Sequence, residues 1–138
     1  MPTPDTLHHW LAAWNAHDLE AVLLQMHEAV LFQNWDGKIA RGKRQLRRLW
    51  QPWFARRDFR FTATDIFLSA NGEQAVLVWQ LDWPSPEPAG RGRPETRHGV
   101  DIIRFQDGLV IEKRTYVQTA VTLAGKTTYL HLPPTHEL

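Results

Sequence analysis

Apolar residues at Leu7, Trp10, Leu11 and Trp14 recur at the i, i+3, i+4, i+7 spacing of one helix face. Asn15-Ala16-His17 breaks the pattern, and Asp18 stands where it can cap a second helix carrying Leu19, Val22, Leu23 and Met26. Val30 to Trp35 reads as a strand stopped by Asp36-Gly37. Leu46, Leu49, Trp50, Trp53 and Phe54 define a third helix. Pro52 inside it predicts a kink or an early end, because proline removes a backbone donor. After Phe59 the period changes. Phe59, Phe61 and Ala63 alternate with polar residues, Asn71-Gly72 predicts a turn, and Ala75 to Trp83 reads as a strand. Prolines and glycines make Pro84 to Pro94 a loop. Val100 to Phe105 and Leu109 to Val117 flank Asp107-Gly108, a hairpin signal. Helices early and strands late predict an α+β fold, with the helices packed across one face of a curved antiparallel sheet.

Composition narrows the function classes. A chain of 138 residues suits one domain, 1–138, with 121–138 read as a C-terminal extension. A net charge of +1 argues against nucleic-acid and membrane partners. The basic residues Arg41, Lys43, Arg44, Arg47 and Arg48 read as the solvated face of the third helix. The absence of cysteine excludes disulfides, thiolate metal sites and a cysteine nucleophile. The histidines lack metal-ligand spacing, so neither metal nor cofactor is expected. Met1-Pro2-Thr3-Pro4-Asp5 lacks a signal-peptide pattern and no apolar run reaches membrane-spanning length, so a cytoplasmic location is expected. The unusual number is 7 Trp. Each offers a broad apolar face and one N–H donor, which suits a core, an interface or a ligand pocket.

Three segments carry a resemblance. They are Trp14-Asn15-Ala16-His17-Asp18-Leu19-Glu20, Arg41-Gly42, and Phe105-Gln106-Asp107-Gly108-Leu109-Val110-Ile111-Glu112. Together they resemble the SnoaL-like, ketosteroid-isomerase-like proteins of the nuclear-transport-factor-two-like superfamily. The resemblance implies a cone-shaped α+β barrel enclosing a small apolar molecule. It implies little about activity, since the fold hosts isomerases, cyclases, epoxide hydrolases, dehydratases and non-enzymes. Against the ketosteroid isomerases, Trp10 takes the place of the oxyanion-hole Tyr, Asn34 that of the general-base Asp, and Asp101 that of the protonated oxyanion-donor Asp. One role is kept, one passes to another donor, and the base is lost. Phe32-Gln33-Asn34 resembles the water-positioning Tyr-Gln-Asn of the epoxide hydrolases. Thr115 stands where those hydrolases and the SnoaL-type cyclases carry a catalytic carboxylate.

The candidate chemistry follows. Asp101 lies among branched apolar residues, where a carboxylate is costly to bury unless paired or protonated; a neutral, donating carboxyl is the expected form, and the competing reading is a Lys113 beside it that pairs with it and keeps it ionised. Asn34 has no basicity, but it can orient a water or carbonyl, or simply serve the turn at Asp36-Gly37. Trp10, Trp14, Trp50 and Phe54 are the expected aromatic substrate contacts. Alternation puts Ile111, Lys113 and Thr115 on one strand face. The resemblance turns Thr115 and Lys113 toward the pocket, with Lys113 expected as a solvated residue at its mouth. Either the Trp79/Trp83 or the Gln80/Asp82 face lines the pocket. Val100, Ile102 and Tyr116 on the outer face predict a homodimer. The expected function is binding of a small apolar molecule, with isomerase, cyclase or hydrolase action on a carbonyl compound. The alternative is a non-catalytic ligand-binding or dimerisation module.

Overall fold

The computed structural model describes residues 1–130. Helix α1, Pro4–Asn15, opens with proline at its first position, where the missing N–H costs nothing, and Thr6 Oγ1 accepts from the Thr3 N–H. It buries Leu7, Trp10, Leu11 and Trp14, the face read from the spacing. Asp18 caps α2, Leu19–Leu24, by accepting from Ala21 N–H at 3.1 Å. The segment between them explains its own sequence. The Asn15 amide exchanges two 2.7 Å hydrogen bonds with the Phe61 backbone, as a neighbouring strand would. His17, at φ 56°, turns its ring onto the Phe59 carbonyl at 2.7 Å. These contacts fasten α1 to the strand that follows the third helix.

Strand β1 runs Met26–Gln33 and begins earlier than its apolar pattern suggested, so Met26 belongs to it rather than to α2. A short β2, Ile39–Arg41, was not visible in the sequence. Helix α3, Gly42–Arg56, continues through Pro52 instead of stopping. Pro52 is solvent-facing and Arg48, four residues back, is exposed, so water can serve the freed carbonyl. The remaining strands are β3 Arg60–Leu68, β4 Gln74–Pro84, β5 Pro94–Gln106, β6 Leu109–Val117, β7 Ala120–Leu123 and β8 Lys126–Tyr129.

The main sheet is ordered β2-β1-β6-β5-β4-β3. All pairs are antiparallel except β1 with β6, so the sheet is mixed rather than wholly antiparallel. The parallel pair arises because the chain passes from β1 through β2, α3, β3, β4 and β5 before β6 returns beside it. Asp107 and Gly108 take φ 54° and 76°, the two positive values a tight hairpin turn needs between β5 and β6. Bulges then set which side chains face inward. One at Ala63/Asp65 turns Ile66 and Leu68 to the core and leaves Phe67 outside. Another pairs Phe105 with Val110 but Arg104 with Glu112. Ile111 is therefore the extra residue and does not share the inner face with Lys113 and Thr115 as simple alternation implied. The first part of the C-terminal extension is sheet, since β7 pairs with the start of β5 and β8 with β7. Residues 131–138 lie outside the described range.

Candidate functional site

The sheet curves around α1 and α3, and the space between them is filled mostly by aromatic rings. Trp14 is the hub: its ring lies 4.7 Å from Trp50, 4.9 Å from Phe54 and 5.7 Å from Phe61, centroid to centroid. A cavity of about 90 Å³ remains among Trp10, Trp14, Phe32, Trp50, Trp53 and Trp79. Its polar wall is made of Asn34, Asp101, Lys113 and Thr115.

The strand register builds that wall. Asp101 on β5 pairs directly with Thr115 on β6, and Lys113 stands two residues along the same inner face. Thr115 Oγ1 donates to Asp101 Oδ1 at 2.7 Å and accepts from Lys113 Nζ at 2.7 Å. Lys113 Nζ also lies 3.3 Å from Asp101 Oδ1. All three residues are 5 % exposed. The hydrogen bond to the carboxylate falls on Oδ1, and Oδ2 accepts no hydrogen bond among the described residues. The Lys113 ammonium lies over the rings of Phe32, Trp14 and Trp50 at 4.7, 5.5 and 5.6 Å. Burial pushes the Lys113 amine below its ordinary value, and the Asp101 carboxylate pulls it back only in part.

These observations correct the reading of Lys113. It is a buried residue at the centre of the polar wall, not a solvated one at the mouth. They also replace the isolated, neutral Asp101 with a member of an ion pair. Sequence offered Lys113 as a partner for Asp101 but could not decide between pairing and a neutral acid, because that contact depends on the register of two strands. Trp10 lines the cavity, yet its Nε1–H is spent on the Val22 carbonyl at 3.2 Å, so it is not a free oxyanion donor. Trp14, Trp50 and Thr115 line the cavity as expected. Phe54 does not: it packs behind Trp14 and against Phe59, away from the open space. Asn34 serves both of its readings. Its backbone holds the turn to Gly37 and Lys38, and its side chain lines the cavity. On β4 the tryptophan face points inward; Trp79 and Trp83 are buried, while Gln80 and Asp82 bond each other on the outer side at 3.0 Å.

A further buried group was missed. Glu95 and Arg97, each 3 % exposed, lie on the inner face of β5 beyond Gly99. Glu95 accepts from Trp83 Nε1 and Ser85 Oγ, both at 2.7 Å, and from Arg97 Nε. Arg97 also reaches Glu87 at 3.1 Å and lies over the Trp83 and Trp35 rings at 5.0 and 5.4 Å. Burial raises the Glu95 carboxyl, but the hydrogen bonds from Arg97, Ser85 and Trp83 outweigh it and hold the group below its ordinary value. A second cavity, of about 310 Å³, adjoins this cluster between the 85–90 loop and β7–β8. Its buried acid is fully engaged. The signal in sequence was the Glu95-Thr96-Arg97 alternation, which places opposite charges on one strand face.

Helices laid into a curved mixed sheet around an aromatic cavity define the cone-shaped α+β class. The SnoaL-like domain family matches residues 7–113, and the chain belongs to it. Solved structures share the fold. SalBIII, an epoxide hydrolase/cyclase-like enzyme in pyran ring formation in the polyether salinomycin, aligns with TM-score 0.69 at 12% identity, over 81% of this chain and 87% of its own. A Mycobacterium tuberculosis protein in complex with estradiol-17β-hemisuccinate aligns with TM-score 0.66 at 22% identity, over 80% and 88%. An NTF2-like protein of unknown function from Mesorhizobium loti aligns with TM-score 0.65 at 22% identity, over 81% and 87%. No curated protein matches the chain. Among the described residues no helix is long and apolar enough to cross a membrane.

Proposed function

We propose that the aromatic cavity binds a small apolar carbonyl compound and that the Asp101–Lys113 pair exchanges a proton with it, as an isomerase, cyclase or hydrolase would require. The carrying observation is a buried, incompletely saturated Asp101–Thr115–Lys113 triad on the wall of an otherwise aromatic cavity. Asn34, with an amide that both donates and accepts, orients the carbonyl. Trp10, Trp14 and Trp50 supply the apolar contact. Relatives of this fold act on or bind polyether and steroid compounds, but about 90 Å³ suits something smaller unless the rings rearrange. The test is titration of intrinsic Trp fluorescence with acetone, propanal, cyclohexanone and a steroid ketone. Saturable quenching by the small carbonyls, lost in Lys113→Met, supports the reading; unchanged emission with all of them overturns it.

The second reading, a non-catalytic module, is favoured by the same small volume and by the committed Trp10 N–H. Its partner would be a second copy. Phe67, Val76, Ile102, Val100 and Tyr116 share the outer sheet face, with Phe67 56% and Tyr116 43% exposed. A homodimer through this face sediments as a dimer at micromolar concentration, and Tyr116→Glu dissociates it. A monomeric wild-type protein removes this reading.

A further inference from the structure

Lys113 is the one lysine on the cavity wall; Lys38, Lys43 and Lys126 lie elsewhere. We propose that Lys113 is an imine-forming nucleophile for a small aldehyde or ketone, with Asp101 as its proton partner and Thr115 positioning both. This rests on reading the cavity as a carbonyl site and goes beyond proton exchange, because it commits the protein to a covalent intermediate.

Three observations carry it. First, the nitrogen stands at the cavity's polar wall: Lys113 is a buried lining residue, and its Nζ meets Thr115, Asp101 and the faces of Phe32, Trp14 and Trp50. Second, the pair holds one exchangeable proton. Moving it from Nζ to the carboxylate across 3.3 Å converts an ion pair into a free amine beside a carboxylic acid, with no net change of charge. An apolar enclosure favours that neutral form over what water would allow. Third, Thr115 Oγ1 bonds both groups at 2.7 Å and offers a relay between them.

The step balances within these groups. The Nζ lone pair attacks the carbonyl carbon and forms the C–N bond. The C=O π pair moves to oxygen, which takes the Asp101 proton. Nitrogen then returns a proton to the carboxylate. Asp101 delivers it to the hydroxyl, the C–O bond breaks, water leaves, and the nitrogen pair closes the C=N bond. The product is an iminium cation beside the Asp101 carboxylate, so an ion pair stands at the end as at the start. A desolvated lysine amine is a recognised route to such chemistry. Size sets the substrate class. A cavity of roughly 150 Å³ holds benzene, so about 90 Å³ takes a carbonyl compound smaller than benzene.

The experiment incubates the intact protein with propanal and sodium cyanoborohydride at neutral pH, follows intact mass, and maps the adduct by peptide mass spectrometry. Trp fluorescence is recorded in parallel without reductant. The expected result is a single reduced adduct on Lys113 that forms ahead of any at Lys38, Lys43 or Lys126. Asp101→Asn slows trapping at Lys113 about a hundredfold, the lower range of general-acid assistance; trapping at the wild-type rate removes Asp101 as the proton partner. A fluorescence response without a Lys113 adduct, or adducts spread over the surface lysines, overturns imine formation and leaves the carbonyl site standing. No fluorescence response and no Lys113 adduct overturns both.

Discussion

Two buried ion pairs stand on the inner face of β5, and they are finished to different degrees. At one end Glu95 has both oxygens engaged, by Trp83, Ser85 and Arg97, and Arg97 is further held by Glu87 and two tryptophan faces. At the other end Asp101 uses only Oδ1, and Lys113 carries a compact ammonium met by Thr115, Asp101 and ring faces. A buried charge costs several kcal/mol unless its hydrogen bonds are completed. The first pair meets that condition and acts as a clamp for the 85–90 loop. The second does not, and it borders the aromatic cavity. Unfilled hydrogen-bonding capacity beside open space is what a ligand can use.

The clamp end should therefore show the largest loss on mutation. Arg97→Met leaves Glu95 buried with only Trp83 and Ser85 to answer its charge. Removing one partner of a buried pair costs about 3–5 kcal/mol, to be read from urea unfolding. Lys113→Met should cost clearly less, since Asp101 retains Thr115 and borders the cavity. Equal losses would erase the distinction between the two ends. Next in size is the residue between them. A Cβ on Gly99 would collide with the Trp79 ring and the Tyr116 carbonyl, so Gly99 is small because Trp79 lies across it. Gly99→Ala should cost about 1–3 kcal/mol, as overpacking does. It should also push Trp79 toward the cavity and weaken any fluorescence response to propanal. An unchanged melting midpoint would mean that the strands separate at little cost there.

The pairs should also separate by pH. The folded Lys113 value lies below its ordinary 10.5. Between the two values the unfolded chain holds a proton that the native one lacks, so stability rises with pH across that alkaline window. Among the described residues the charged group facing Lys113 is Asp101 on β5; α1, β1 and α3 bring rings. Lys113→Met should flatten the rise, by at most about 1.4 kcal/mol per pH unit for one proton. Glu95 acts at the acid end. Its folded value lies below the ordinary 4.5, so its contribution is full above 4.5 and is lost as pH falls through the folded value. Unfolding free energy measured against pH for wild type, Lys113→Met and Glu95→Gln tests both; a wild-type alkaline slope that survives in Lys113→Met removes the first.

Most of the framework was legible because it depends on local chemistry. Helix faces, the Asp18 cap and the Asp107-Gly108 turn are set by residues within a few positions of one another. The Trp14-to-Glu20 segment, which carried the family resemblance, does more than its local pattern shows: Asn15 clasps Phe61 of β3 and His17 the Phe59 carbonyl just before it, both more than forty residues away. The site was legible only in part. Asp101, Asn34 and Thr115 could be matched one at a time to the family, but the pairing of Asp101 with Lys113 needs strands in register. Bulges moved Ile111 off the inner face, which period-two counting cannot foresee. Phe54 was expected at the pocket and packs behind it instead, for a reason that helical spacing hides. A helix face shows which residues turn inward, not whether they meet packed side chains or space.

The smallest expected effect concerns Asn34. Proton transfer next to a ketone needs a group that accepts the proton and returns it. The cavity wall offers an amide, Asn34, at the position that the resemblance matches to the carboxylate of the ketosteroid isomerases. Wild-type protein should therefore leave β,γ-unsaturated ketosteroids unconverted. The cavity, at about 90 Å³, is also well below the roughly 300–1,000 Å³ typical of ligand sites. Asn34→Asp restores the base without enlarging the space. It should raise conjugated-product absorbance above the wild-type rate for a small β,γ-unsaturated ketone and leave the steroid untouched. The two substrates separate chemistry from volume. Gain with both would mean that the rings move aside for large ligands. Gain with neither, in a folded variant, would mean that position 34 does not reach the reacting carbon, and the polar wall would then consist of the Asp101–Thr115–Lys113 triad alone.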